Sequence, residues 1–423
     1  MSTVETHQAI DAVWRIEAAR LIAGLTRIVR DVGVAEELAQ DALVVALEKW
    51  PESGIPENPG AWLMATAKHR ALDHFRRNKL LERKHEELGR ELKSQQELAV
   101  ANFEIAESGE IEDDLLRLVF ISCHPILSTE ARVALTLRLL GGLTTVEIAR
   151  AFLTPEPTIA QRIVRAKRTL SDARVPFEVP VAEERAARLS SVLEVIYLIF
   201  NEGYSATAGS DWMRPELCAD ALRLGRILAE LAPKEAEVHG LVALMEIQAS
   251  RFAARTTPSG EPILLLDQNR ALWDQLLIRR GLAALQRAEH LSSAAGPYTL
   301  QAAIAACHAR AHKPEETDWA RIADLYAALA DLNPSPIVQL NRAVALGMAS
   351  GPAAGLELVD MLIADPALKN YHLLPAIRGD FLAKLARFEE ACTEFERAAS
   401  LTQNARERDL LLDRARKASS STA

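Results

Sequence analysis

Two stretches of the chain gather side chains whose chemistry suits nucleic acid. Between Leu143 and Leu170, the residues Gln161, Arg165 and Arg168 recur at intervals of four and three, which places them on one face of a helix. Arginine pairs with guanine edges, glutamine with adenine edges, and a surplus guanidinium neutralises phosphate. The second stretch, Ala61 to Leu80, holds five cations (Lys68, Arg70, Arg76, Arg77, Lys79) against one acid, Asp73. Projected at about 100° per residue, Trp62, His69, Arg70, Arg76 and Arg77 share its outer side, opposite Met64, Ala67, Ala71 and Phe75. Interleaved aromatic and cationic side chains suit stacking on an unpaired base beside a neutralised backbone. A solvated basic face on a helical hairpin, and a Trp62 packed under a neighbouring helix, give the same two patterns.

The elements that must hold these residues are legible. Thr144 followed by Glu147 matches a capping box, so a helix begins there, with Val146, Ile148, Ala149 and Phe152 as its apolar side. Pro155 and Pro157 interrupt it, because proline lacks an amide donor and restrains its predecessor. A second helix restarts at once, with Ile159, Ile163, Ala166 and Leu170 as one buried stripe. A short helix set at an angle to a cationic one is the arrangement that a helix-turn-helix presents to the major groove. Upstream, Asn58-Pro59 makes an N-cap and first-turn pair after a loop from Pro51, so the basic helix starts near Pro59.

The rest of the chain narrows the class. Its 423 residues exceed one usual core, and 49% hydrophobic with 25% charged residues is the composition of a folded protein. A net charge of −9 confines any nucleic-acid contact to local patches. Four cysteines, Cys123, Cys218, Cys307 and Cys392, form no CxxC pair, so neither zinc nor a disulfide frame is expected. His124 beside Cys123 reads as a helix terminus. The absence of HExxH, GxxxxGK[ST] and GxSxG motifs argues against an enzyme, a cofactor or a catalytic metal. No long apolar run and no leader pattern occur, so the expectation is a cytoplasmic protein without a membrane segment.

Two N-terminal helices are expected from Ile10 to Trp50. The first has Val13, Ile16, Leu21, Ile22, Leu25, Ile28 and Val29 inside. The second has Leu38, Ala42, Val45 and Leu47 inside, with Glu36, Glu37, Gln40 and Asp41 as an acidic outer surface that the helix dipole alone explains. From Leu81 to Glu112, nine glutamates face four basic residues with no sustained apolar stripe, as in a linker with a helical first half. The next domain opens at Leu115 to Cys123 and resumes at Ser128, a cap. Beyond Pro180 the pattern is helical, with Ser190 to Phe200 buried, Asn201-Glu202-Gly203-Tyr204 opening an irregular segment and Thr256 to Pro262 as a loop. Gly379, Ala391, Phe395 and Ala398 reproduce the spacing of a tetratricopeptide helix pair, echoed at Ala343, Gly355, Val359 and Leu362. A solenoid of such pairs offers a concave face to a peptide or protein; a plain helical bundle is the alternative.

In this order the segments resemble the extracytoplasmic-function sigma factors of bacterial RNA polymerase. Val34 to Asp41 looks like the family's polymerase-clamp helix, Ala61 to Arg77 like its −10 element helix, and Thr158 to Arg168 like its −35 recognition helix. The long helical remainder, with Phe120 to Pro125 and Asn201 to Tyr204, resembles the subgroup carrying a tetratricopeptide-like C-terminal domain. Ala160 departs from the family, where many relatives carry a polar residue. The resemblance implies an all-α protein in which two small sigma domains, 8–80 and 113–175, are joined by an acidic linker, 81–112, and followed by a helical solenoid, 181–418. It implies core RNA polymerase as partner through Glu37, Gln40 and Asp41. It further implies promoter DNA as partner through Trp62, His69, Arg70, Arg76 and Arg77 on the −10 strand and Thr158, Gln161, Arg162, Arg165 and Arg168 on the −35 duplex. The alternative is a helix-turn-helix regulator that works without polymerase.

Overall fold

The computed structural model describes residues 3–85, 108–152, 154–206, 213–257 and 261–420. Among them every extended regular element is a helix, and the lone β-bridge joins Thr256 to Pro262. The chain forms two compact units, 1–196 and 197–423, which divide inside one helix. No helix among the described residues is long and apolar enough to cross a membrane.

The first unit begins with α1 (Thr3–Val29), α2 (Val32–Ser53) and α3 (Pro59–His85). Their shared core is Ala18, Leu21, Ile22 and Leu25 of α1, Ala35, Leu38, Ala39, Ala42 and Ala46 of α2, and Leu63, Ala67 and Ala71 of α3. Alanines at helical spacing keep the axes close, while each buried leucine or isoleucine contributes about 1.5–3 kcal/mol. Asp31 starts α2 by accepting from the Val34 amide at 3.0 Å, and Asn58 starts α3 by accepting from that of Ala61 at 3.0 Å.

Several expectations shift here. Ile16 lies 63% exposed, since the buried arc of α1 has turned to Ala18 and Ala19. α2 runs through Pro51 to Ser53 and ends at Gly54, whose φ of 82° suits glycine. Leu63 rather than Met64 fills the inner side of α3. That helix persists to His85, in the half of the 81–112 linker expected to be helical, whereas the next helix already begins at Ser108, inside the linker's other end; residues 86–107 lie outside the described residues.

α4 (Ser108–Ser122) packs on α1, and α5 (Thr129–Leu139), α6 (Thr145–Ala151), α7 (Glu156–Asp172) and α8 (Ala182–Tyr204) follow. Ser128 caps α5, accepting from Ala131 at 3.3 Å. α8 closes the unit: Ser191 donates to the Cys123 carbonyl at 2.8 Å and Arg188 to that of Phe120 at 3.0 Å. Asn201 to Tyr204 continue α8 instead of leaving it, because Gly203 lets the 213–218 segment close on the helix. A Cβ there would lie 2.8 Å from the Cys218 amide and 2.9 Å from the Arg214 carbonyl oxygen.

In the second unit α9 (Pro215–Leu231) leads to α10 (Ala236–Ala249), which is buried on all sides between α9, α11 (Gln275–Leu291) and α12 (Pro297–Arg310). Residues 250–257 and 261–274, between α10 and α11, include three short single turns, so the irregular passage is longer than the expected 256–262 loop. α13 (Trp319–Leu332), α14 (Pro336–Ser350), α15 (Pro352–Leu362), α16 (Leu373–Lys384), α17 (Phe388–Leu401) and α18 (Ala405–Ser420) then pack each on the next. The small residues do what their spacing implied. Phe395 fills the gap over Gly379, and Phe381 that over Gly355 and Gly347, where an added Cβ would fall 2.3–2.8 Å from the rings. Arg378 ties three helices by donating to Asp360 at 2.8 Å and Glu394 at 2.9 Å.

Candidate nucleic-acid interface

α6 and α7 form the helix-turn-helix. Glu147 donates its amide to Thr144 Oγ1 at 3.2 Å and accepts from the Thr144 amide at 2.7 Å, a complete capping box. Arg15 of α1 adds a 2.7 Å ion pair to the same carboxylate. Burial raises the Glu147 pKa, but the Thr144 and Arg15 hydrogen bonds outweigh it and hold it below the ordinary value. Val146, expected inside α6, is 46% exposed, and Ile148 and Ala149 carry the contact.

On α7 the apolar stripe is buried as its period requires: Ile159, Ile163, Ala166 and Leu170 are all under 5% exposed. Thr158, Gln161, Arg165 and Arg168 stand exposed on the opposite side, and Arg162 is half-buried at its edge. Arg168 approaches Asp172 at 3.4 Å, an exposed pair too weak to immobilise it. Val164 is 63% exposed at the side of this face, where reading apolar residues as core does not place it; its position on the polar arc is the signal. An apolar side chain there can contact a thymine methyl.

One flank of α7 is already occupied. Lys167 pairs with Glu36 of α2, which also accepts from Arg138 of α5 at 2.6 Å, and Ser171 donates to Asp31 at 2.8 Å. Glu36 is thus 2% exposed rather than part of the acidic outer surface of α2. Gln40 donates to it, whereas Glu37 and Asp41 face solvent. No spacing rule links Glu36 to cations more than a hundred positions away.

On α3, Trp62 is half-buried and packs edge-on against Trp50, with ring centroids 5.2 Å apart and planes at 65°. Trp50 is 2% exposed and forms the fixed floor under Trp62. His69 and Arg70 are exposed a turn or two further on, and exposed Arg76 lies 3.6 Å from Asp73. The Arg77 side chain lies outside the described residues. An aromatic ring anchored on one side and open on the other, followed by cations, can stack a base and hold its phosphates.

Comparison with known proteins agrees with this geometry. Residues 15–80 match Sigma-70 region 2 and residues 117–170 match Sigma-70, region 4, while residues 188–289 match a family of unknown function (DUF6596). An uncharacterized protein of Rhizobium meliloti (strain 1021) is 43% identical over 388 residues, 91% of this chain and 90% of its own. The probable ECF RNA polymerase sigma factor SigI of Mycobacterium tuberculosis is 26% identical over 179 residues, 42% of this chain and 60% of its own length. With regions 2 and 4 in order ahead of a helical C-terminal unit, the chain belongs to the extracytoplasmic-function sigma factors, in a form that carries an additional helical domain.

Proposed function

We propose that the protein binds core RNA polymerase through the exposed acids of α2 and directs initiation at promoters whose −10 strand meets α3 and whose −35 duplex meets α7. The observation that carries this reading is the face of α7, where Thr158, Gln161, Val164, Arg165 and Arg168 are all exposed above a fully buried stripe. In it, Trp62, His69, Arg70, Arg76 and Arg77 capture the unpaired strand, a state that costs a few kcal/mol to expose. Glu37 and Asp41 offer their carboxylates to polymerase, with Gln40 beside them. Domains 8–80 and 113–175 hold both contacts at once across the 81–112 segment, so each raises the effective concentration of the other. The 181–418 domain, built of tetratricopeptide-like helix pairs, takes a protein or peptide partner that regulates output in the cytoplasm.

Runoff transcription with purified core polymerase on fragments of the source genome tests this. Discrete start sites that require the full-length protein support it. Duplex binding without polymerase, and no start sites with it, would make the protein a free-standing helix-turn-helix regulator instead.

A further inference from the structure

Past the last turn of α10, the second unit places guanidinium groups where a helical core normally places apolar side chains. Arg251 and Arg255 are 9% and 5% exposed, and Arg270 reaches in from the turn before α11. Arg255 donates to the Tyr204 carbonyl and lies 3.5 Å from the centre of that ring. Arg270 donates to the carbonyls of His308 at 2.8 Å and Ala311 at 2.6 Å, and to Thr317 at 3.2 Å.

Arg251 differs from both. Its side chain has no hydrogen bond or ion pair to any acceptor among the described residues, and its Nε is buried without a partner. Its neighbours are the faces of Tyr204 and Trp273, with centroids 5.7 and 5.9 Å away, near the outer limit of about 6 Å for a cation–π contact. The buried carboxylate near the end of the preceding helix, Glu246 of α10, is already shared by Arg226 at 2.9 Å and Arg280 at 3.4 Å. The neighbouring guanidiniums repel it: burial lowers the pKa of Arg255 and Arg270, and Arg251 lowers both further, while Tyr204 acts the other way on Arg255 and Glu315 and Glu316 on Arg270. The His308 pKa falls to about 4 through burial first and then through Arg251 and Arg270. Trp273 Nε1, His308 Nδ1 and the Nε of Arg270 are also buried and unpaired here. Burying most of an arginine side chain, with its Nε unpaired and other guanidiniums nearby, costs more than two distant ring contacts offset, unless an anion joins it.

We propose that Arg251, beside the Trp273 indole N–H and the His308 ring, anchors a binding site for a small ligand bearing an oxyanion, either a carboxylate or a phosphate. The planar guanidinium fork matches two oxygens of either group, and the low local dielectric strengthens that pairing. Tyr204, Phe252 and Trp273 supply aromatic walls for the rest of the ligand. The inference goes beyond the polymerase and promoter reading and does not rest on it.

The test uses the full-length protein, titrated with inorganic phosphate and separately with succinate at constant ionic strength, with chloride as reference. Calorimetric heat and the rise in Tm saturate for the anion the site accepts, and which probe does so identifies the source chemistry. Arg251→Gln then loses about tenfold or more in affinity, the effect of removing one charge-assisted contact. In the wild-type protein, His308, assigned by its loss in His308→Gln, titrates at higher pH when the anion is bound, because the anion offsets the field of Arg251 and Arg270. That readout decides the matter if Arg251→Gln fails to fold. The proposal is overturned if neither anion saturates, if Arg251→Gln binds as the wild type does, or if His308 titrates unchanged at high anion concentration.

Discussion

Glu36 of α2 accepts from Arg138 of α5 at 2.6 Å, although 102 residues separate them in the chain. With Lys167 of α7 on the same carboxylate, one buried acid joins the region 2 helix that carries the proposed polymerase contacts to the region 4 helix proposed to read DNA. Glu36→Ala strands two partly buried cations, and breaking such a pair costs about 3–5 kcal/mol. Urea unfolding of the variant is expected to show that loss; a change under about 1 kcal/mol would show the contact to be incidental.

Arg165 is exposed and its side chain makes no hydrogen bond or ion pair among the described residues, so Arg165→Ala leaves Tm unchanged. If it reads a base, the variant loses about 1–3 kcal/mol of promoter binding and discriminates less at one position; if it holds phosphate, the loss is sequence-blind and the salt slope falls by about one. Footprinting across a salt series distinguishes these outcomes, and promoter binding equal to the wild type would remove Arg165 from the interface.

Trp50 and Trp62 touch, yet their roles separate. Trp50→Ala opens a cavity in a sealed core and is expected to cost about 3–5 kcal/mol of stability. Trp62→Ala costs less stability and instead weakens binding of single-stranded −10 DNA by about 1–3 kcal/mol. Fluorescence titration with a single-stranded oligonucleotide measures this, and unimpaired binding by Trp62→Ala refutes the stacking role.

The Glu147 capping box predicts a pH dependence. Its carboxyl pKa is lower in the folded chain than in the unfolded one, so its stabilisation is complete above the ordinary carboxylate value and is lost as pH falls through the folded value. Glu147→Ala is expected to cost about 1 kcal/mol at neutral pH, with the gap to wild type narrowing below about pH 4.5. A gap that stays constant down to pH 3 would mean that the charge of Glu147 contributes nothing.

A chain ending at residue 180 loses the Ser191 and Glu194 groups that Arg132 contacts, and with Ser191 the donor to the Cys123 carbonyl. A chain ending at Ile196 keeps all three. The shorter fragment is expected to melt lower than the longer, by several degrees for about 2 kcal/mol in a domain of this size. Equal melting temperatures would show that α8 adds nothing to the first unit.

What the linear chain determined is local. The Thr144–Glu147 cap, the proline break, the Ile159 to Leu170 stripe and the face opposite it follow from hydrogen-bonding geometry and a 3.6-residue period, both contained in a few turns of backbone. The glycine and phenylalanine spacing around Gly379 and Phe395 is legible for the same reason. Tertiary structure alone decided the rest. Glu36 turned inward because two cations from distant helices met it, Ile16 stayed outside because alanines took the contact with α2, and Arg251 was buried among other cations where the turn carrying Arg270 packs against α12. Long-range charge pairing and the choice between competing apolar arcs depend on which helices become neighbours, and periodicity within one helix carries no record of that.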